Sequence, residues 1–535
     1  MHILAQLLLI PLAYGFFKLG RFLIRIWRSP LHNLPGPKSS SWLFGNLSEV
    51  FKADNAVMHE KWVSQFGKTL KYYIFLGAPR LLVADTKAVN HILMNAYEYP
   101  KPEINRVGLG RILGPGILVV EGNQHRLQRK IMNPAFALSN IREMLPIFFE
   151  KSVLLRDLWM TEIAQSQESI DVQSWLGKLT LDIIGIAGFG YHFDALNPSK
   201  KPNELNEAFN KIFSSTTSGA SLLSNPLRLL KIFIPALRVF KSQEDRDVDA
   251  ARATMDRIGL KLVNDAKAFW QASGDNTGFQ AKDLLSLLIK ANMDKDVPES
   301  QRLSDFDVLA QVPAFLTAGH ETTSTSVTWA LYALSQNKEA QSKLREELLT
   351  VQSEVPDLDE LNSLTYLDYV VRETLRLHSP VPATIRQAAK DDVIPLNEPY
   401  VDSHGNTQDT VPVSKGDSIF VSITLMHRDK SVWGEDSFEF RPERWEELPD
   451  SVRSIPGLYS NILTFLNGPR SCIGYRFALA EMKAILFTIV RSFEFELAVP
   501  AEDIGNKSMI VQRPFLKSDP KAGSKMPLNI RLYQG

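Results

Sequence analysis

Residues 465–474 read Phe465-Leu466-Asn467-Gly468-Pro469-Arg470-Ser471-Cys472-Ile473-Gly474, and Cys472 is the only cysteine in 535 residues. A lone cysteine is most often a small buried hydrophobe, but its neighbours here argue otherwise. Gly468 and Gly474 stand four residues before it and two after, where missing Cβ atoms let a flat ligand approach the backbone. The run Tyr475 to Lys483 is helix-forming, which places Cys472 at a helix N-terminus, where free N–H groups and the dipole favour a thiolate. Arg470 sets a cation nearby, suited to a carboxylate on that ligand, and Phe465 offers an aromatic wall. The expectation is a thiolate presented to a flat ligand that carries carboxylates.

Working outward, composition bounds the rest. With 44% apolar and 22% charged residues, the chain has enough to bury for a folded core, which excludes wholesale disorder. Sixty basic residues balance sixty acidic ones, which argues against a nucleic-acid partner. One cysteine excludes an internal disulfide and a multi-cysteine zinc site, and it favours a reducing compartment.

The run Ile3 to Phe17 is uncharged, though interrupted by Gln6 and Pro11, and apolar residues continue to Trp27 between Lys18, Arg21, Arg25 and Arg28. A spanning helix needs about 20 apolar residues, so residues 1–28 are expected to form a short single-pass anchor whose basic residues snorkel. A cleaved signal peptide is the alternative, but no small-x-small site follows. The basic residues after the apolar run place everything downstream in the cytosol. Residues 29–41, with Leu34-Pro35-Gly36-Pro37 and a serine run, read as a stiff hinge. Residues 42–535 read as one large domain with polar excursions at 273–283 and 391–417. The sequons at Asn46 and Asn506 are expected to stay bare in the cytosol.

The fold class is mainly α with a minor β-sheet. Segment 303–336 starts with Ser304 and Asp305 as cap candidates and is apolar nearly all round its middle, which predicts one long buried helix. Segments 361–378 and 475–493 are spaced similarly. Residues 70–76 and 80–84, separated by Gly77-Ala78-Pro79, predict a hairpin, and residues 418–424 another strand.

A thiolate facing a flat, carboxylate-bearing surface is the chemistry of haem ligation. Segment 465–474 resembles the haem-binding signature of the cytochrome P-450 family, F-x-x-G-x-R-x-C-x-G, at every fixed position. The resemblance implies haem b with Cys472 as the axial iron ligand, the thiolate pushing electron density toward O–O cleavage. It also implies that family's fold, with haem between a long central helix and the cysteine loop. Ala318-Gly319-His320-Glu321-Thr322-Thr323 resembles the oxygen-activation motif. Ala318 and Gly319 would thin the helix above the iron, while Glu321 and Thr322 would deliver protons. The plain alternative is a threonine bonded back to its own helix. A zinc-protease reading fails, because Ser324 stands where the second histidine is required.

Glu373-Thr374-Leu375-Arg376 resembles the E-x-x-R pair, and Pro442-Glu443-Arg444-Trp445 its partner segment, which implies a structural Glu373–Arg376–Arg444 cluster. His125 to Arg129 occupies the place of a W-x-x-x-R helix, with His125 where tryptophan is usual. By the same resemblance Arg129, Arg386 and His125 are candidate partners of the haem propionates.

The family's chemistry is monooxygenation, with one oxygen atom entering the substrate and the other leaving as water. No Walker loop or G-x-G-x-x-G is present, so the electrons are expected from a separate partner, which the resemblance implies is an NADPH-dependent cytochrome P-450 reductase. The resemblance to fungal microsomal members implies the endoplasmic reticulum membrane as location. It also implies a lipophilic substrate (terpenoid, steroid or aromatic) of secondary metabolism or xenobiotic oxidation. Phe213, Leu222, Phe233, Phe315 and Leu316 are the expected apolar lining. A haem-thiolate isomerase or dehydratase and a non-catalytic haem sensor are the rival readings.

Overall fold

The computed structural model describes residues 17, 20–166, 168–197, 204–205, 207, 239–273, 283–293, 297–508 and 510–534. The expected anchor lies largely outside these residues, as do Phe213, Leu222 and Phe233. Among the described residues no helix is long and apolar enough to cross a membrane.

In chain order the strands are β1 (Thr69–Tyr73), β2 (Pro79–Val83), β3 (Ile170–Asp171), β4 (Ala383–Gln387), β5 (Asp392–Val401), β6 (Thr407–Val413), β7 (Ser418–Ser422), β8 (Phe493–Leu497), β9 (Ile504–Ser508), β10 (Gln512–Leu516) and β11 (Pro527–Leu532). The principal helices are α1 (Thr86–Met94), α2 (Gly122–Met132), α3 (Leu138–Gln165), α4 (Val172–Phe189), α5 (Asp305–Leu309), α6 (Gln311–Gln336), α7 (Thr365–Leu377) and α8 (Tyr475–Ser492). Helices dominate, as the periodicity predicts.

The chain packs into two compact units. One comprises the described residues within 1–108, 211–250 and 383–426, the other those within 109–210, 251–382 and 427–535. Each is assembled from three separate segments, so no single linker in the sequence marks the division.

The first unit carries a four-stranded sheet in the order β1-β2-β7-β4, parallel only between β2 and β7. The predicted hairpin is β1–β2, turned through Leu76 and Gly77, both at positive φ. Leu81, Leu82 and Val83 on β2 and Ile419 and Val421 on β7 are buried, which is why these strands are the central ones. The predicted strand at 418–424 stops at Ser422. The polar stretch 391–417 forms a hairpin of its own, β5–β6. It is held by Asp85, which caps α1 through the Lys87 and Ala88 N–H groups and accepts from the Asn397 and Glu398 N–H groups, each at 2.9 Å.

The proline-rich stretch expected to be a hinge is laid against β1. Leu31 and Leu34 are buried, and the Lys71 N–H donates to the Pro35 carbonyl at 2.9 Å. The Asn46 amide bridges the Lys38 carbonyl and the Tyr73 N–H, at 2.9 Å each, so this sequon asparagine is buried and already bonded.

In the second unit β3, β11 and β8 form an antiparallel sheet, and β9 and β10 a hairpin. The helix expected over 303–336 is split at Ala310 into α5 and α6. Pro313 explains the break: it offers no N–H to the carbonyl of Leu309 four residues back, and its ring crowds that carbonyl. Ser304 is the expected cap, in a reciprocal capping box with Asp307. Every residue of α8 from Ala480 to Val490 is buried.

A Cβ at Gly36 would stand 2.0 Å from the Lys71 carbonyl oxygen. Gly36→Ala must therefore push the docked segment off β1, and a loss of about 2 kcal/mol is expected. A lowered thermal unfolding midpoint would show it.

Candidate functional site

Two 3₁₀ turns, Leu463–Phe465 and Gly468–Arg470, shape the cysteine loop. Leu466 and Gly468 take left-handed φ values of 56° and 69°, so the glycine at 468 answers a backbone requirement. The Cys472 N–H donates to the Phe465 carbonyl at 2.9 Å, closing the loop on itself. Phe465 and Ser471 are buried while Cys472 is exposed, just ahead of the Gly474 cap of α8. A Cβ at Gly474 would meet only the Phe136 ring, at an ordinary 3.5 Å, so no protein neighbour demands glycine there. Although its surface is reachable, protein crowds Cys472 closely enough that burial pushes its thiol up. The Gly474 N–H and Arg129 pull it the other way but do not win. The helix end alone does not produce the stabilised thiolate that the sequence suggests.

The expected cations divide. Arg129, on α2, bonds the Ser471 carbonyl and the Asn133 side chain, the latter at 2.9 Å, so α2 grips the loop beside the cysteine. His125 is buried one turn earlier on the same helix. Arg470 donates to the Val120 carbonyl at 2.8 Å and pairs with the Glu121 carboxylate, a partner that the sequence reading missed. Arg386 belongs to the first unit, on β4. It is 1% exposed, its bonds go to the Thr384 hydroxyl and the Ile385 carbonyl, and burial lowers it to about 10. Among the described residues no carboxylate pairs with it.

On α6, Ala318 is exposed in a helix otherwise mostly buried. Gly319 faces elsewhere. A Cβ there would stand 2.8 Å from Ile184 of α4, so this glycine serves close helix packing rather than a thinned face toward a ligand. The Thr180 hydroxyl of α4 bonds the His320 carbonyl at 3.1 Å in the same contact. The Thr322 hydroxyl donates to its own Ala318 carbonyl at 2.6 Å, which is the plain alternative weighed above. Glu321 is buried and bound by Arg513 of β10, through Nε at 3.0 Å and Nη2 at 2.6 Å. No local pattern points to Arg513, which comes from 192 residues away.

The family-wide profile described as Cytochrome P-450 matches residues 35–517. The chain belongs to the cytochrome P-450 family. Cytochrome P-450 monooxygenase 205 of Postia placenta is 52% identical to it, covering 99% of this chain and 98% of that protein. Monooxygenase 128 of the same organism is 49% identical over 98% of this chain and 96% of its own length. Monooxygenase claW of Ampulloclitocybe clavipes is 34% identical over 97% and 95%. The family is one of haem-iron oxidoreductases.

In this cytochrome P-450 the E-x-x-R helix, α7, carries the cluster expected from the sequence. Arg376 forks onto Glu373 at 2.9 and 2.8 Å, and Arg444 reaches the same carboxylate at 2.9 Å. The Arg441 N–H and the Trp445 indole complete the shell at 3.0 and 3.1 Å, and Asp436 takes the other side of Arg444 at 3.0 Å. His427, also missed in the sequence, ties this cluster to the cysteine loop. Its Nε2 accepts from the Leu463 N–H at 2.7 Å, so Nδ1 carries the proton and donates to the Arg376 carbonyl at 2.9 Å. Alongside, the Thr464 hydroxyl donates to the Leu375 carbonyl at 2.7 Å.

Removing the shared anion as Glu373→Gln leaves two buried guanidiniums facing each other. A loss of about 3–5 kcal/mol is expected, read as a lower thermal midpoint and a poor yield of haem-loaded protein. Burial also depresses His427 and His378 to about 3, so both are neutral when folded. The unfolded chain then binds more protons from about pH 6.5 downward, and stability falls as pH drops through that window. Denaturant midpoints across that range should decline, and less steeply in His427→Gln.

Proposed function

We propose that this chain is a haem-thiolate monooxygenase that inserts one atom of dioxygen into a lipophilic organic substrate (a terpenoid, steroid or aromatic compound). Electrons come from NADPH through a separate flavoprotein reductase. The observation that carries the reading is Cys472: the sole cysteine, accessible, and presented by a loop that is pinned on both sides.

The residues fit haem. The donor set pairs one soft sulfur donor with two guanidiniums of the second unit, Arg129 bonded to the Ser471 carbonyl and Arg470 with a side chain only 5% exposed. Cys472 would hold the iron as thiolate, the metal's charge completing a deprotonation that burial opposes. Arg129 and Arg470, with His125 beside Arg129, would take the propionates, and Phe465 would wall the porphyrin. When bound, haem supplies dioxygen binding and O–O bond cleavage.

The chain's own residues do the rest. Ala318 leaves the accessible face of α6 low. Thr322 offers the proton on Oγ1, which turns from the Ala318 carbonyl toward the reacting oxygen. The Glu321 carboxylate takes up a proton from solvent and replaces the one Thr322 gives. Phe315 and Leu316 are buried on α6, and Phe136 meets Phe315 edge to face at 5.6 Å, an apolar wall that excludes water and suits a lipophilic guest.

The reading extends to location: residues 1–28 anchor the chain in the endoplasmic reticulum membrane, with the catalytic domain in the cytosol. The uncharged run Ile3 to Phe17 with basic residues on its C-terminal side supports this, as does the buried, bonded Asn46.

The ferrous protein with carbon monoxide should show the thiolate-type absorption band, and Cys472→Ser should abolish it. Thr322→Ala should keep the band while diverting reducing equivalents to hydrogen peroxide. A wild-type protein without the band, or one that binds no member of a lipophilic library in spectral titration, would overturn the proposal.

A further inference from the structure

The ion pair between Glu321 and Arg513 joins segments 192 residues apart, and both sides of it are anchored. Arg513 stands on β10, and the residue before it is bonded in both directions. The Gln512 N–H donates to the Pro380 carbonyl at 2.7 Å, and the Gln512 carbonyl accepts from the Trp329 indole at 3.0 Å. Trp329 lies eight residues beyond Glu321 on α6, just over two turns along and about 80° round the helix. Trp329 is itself held flat against His378, with 4.8 Å between ring centres. The strand that carries Arg513 is therefore anchored to the helix that carries Glu321, two turns along.

The pair also sits at a boundary. The Arg513 side chain is 20% exposed and that of Glu321 11%, in a helix whose next turn, Thr323 to Ser326, is buried. Glu321 Oε2 is held by two donors of one rigid guanidinium, which fixes its direction. His320 Nδ1 is a further ionisable neighbour, 3.9 Å from Oε1.

We propose that Arg513 is a positioning residue that holds the Glu321 carboxylate at the solvent boundary of α6, where it takes protons from water and passes them toward Thr322. In this role Arg513 acts through Glu321 and not on a reacting atom. The inference rests on the reading of Glu321 as a proton donor. The steps it governs are balanced: dioxygen with two electrons and two protons gives hydrogen peroxide, and with four of each it gives two waters, the electrons coming from NADPH. Slow proton delivery favours the first outcome.

The test needs no known substrate. Purified full-length chain, reconstituted with a flavoprotein reductase, is given NADPH, and hydrogen peroxide released per NADPH consumed is measured in wild type, Arg513→Gln, Arg513→Lys, Glu321→Gln and the Glu321→Gln/Arg513→Gln double variant. Arg513→Gln should raise the ratio roughly threefold, Arg513→Lys should recover most of that rise, and the double variant should match Glu321→Gln. A ratio unchanged by Arg513→Gln overturns the proposal. So does a double variant worse than Glu321→Gln by the full single-variant factor, and this comparison serves even if Arg513→Gln alone does not assemble. The carbon monoxide band on the same preparations separates the two claims. Its absence from wild type sinks the proposed function, whereas an unchanged ratio with the band intact sinks only the role of Arg513.

Discussion

The second unit is braced by one buried carboxylate. Five donors from four residues converge on Glu373, and none of them is water. A lone carboxylate in such surroundings would be too costly to keep ionised, so the cluster forms as a whole or not at all. Its reach exceeds its volume. Through the Arg376 carbonyl, His427 and the Leu463 N–H, the cluster sets where the chain enters the cysteine loop, and Thr464 repeats the connection one residue on. The accessible sulfur of Cys472 is thus placed by a network in which it takes no part.

Two of the site's charges are met by partners from separate stretches of chain: Glu121 answers Arg470, and Arg513 answers Glu321. Arg386 in the first unit is the contrast: among the described residues its guanidinium bonds neutral groups of its own strand.

What the sequence disclosed follows from how local each signal is. The β1–β2 hairpin, the Ser304 cap and the E-x-x-R pair are written within a few residues, and each formed as expected. The reach of the helix over 303–336 was overestimated because its apolar pattern runs unbroken through Pro313, whose effect falls four residues upstream. Gly319 shows the opposite difficulty: a motif explains that a small residue stands there, but only the packed structure reveals Ile184 against it. His427, Asp436, Glu121 and Arg513 carry no local mark, since their roles depend on partners brought together by folding. The proline stretch reads as a stiff hinge because its bonding partner, Lys71, lies on a strand 36 residues on from Pro35.

The hydroxyls of α6 have a consequence for how this helix can respond. Those of Thr317, Thr322, Ser324, Ser326 and Thr328 all return to carbonyls of their own helix, three or four residues back. Each such carbonyl sits in the helical ladder and keeps an amide partner, so a departing hydroxyl leaves nothing stranded. Rotation about one side-chain bond is the whole cost of lending that proton elsewhere. The loan is open only where the helix surface can be reached, at Thr317 and Thr322, because Ser324, Ser326 and Thr328 are buried.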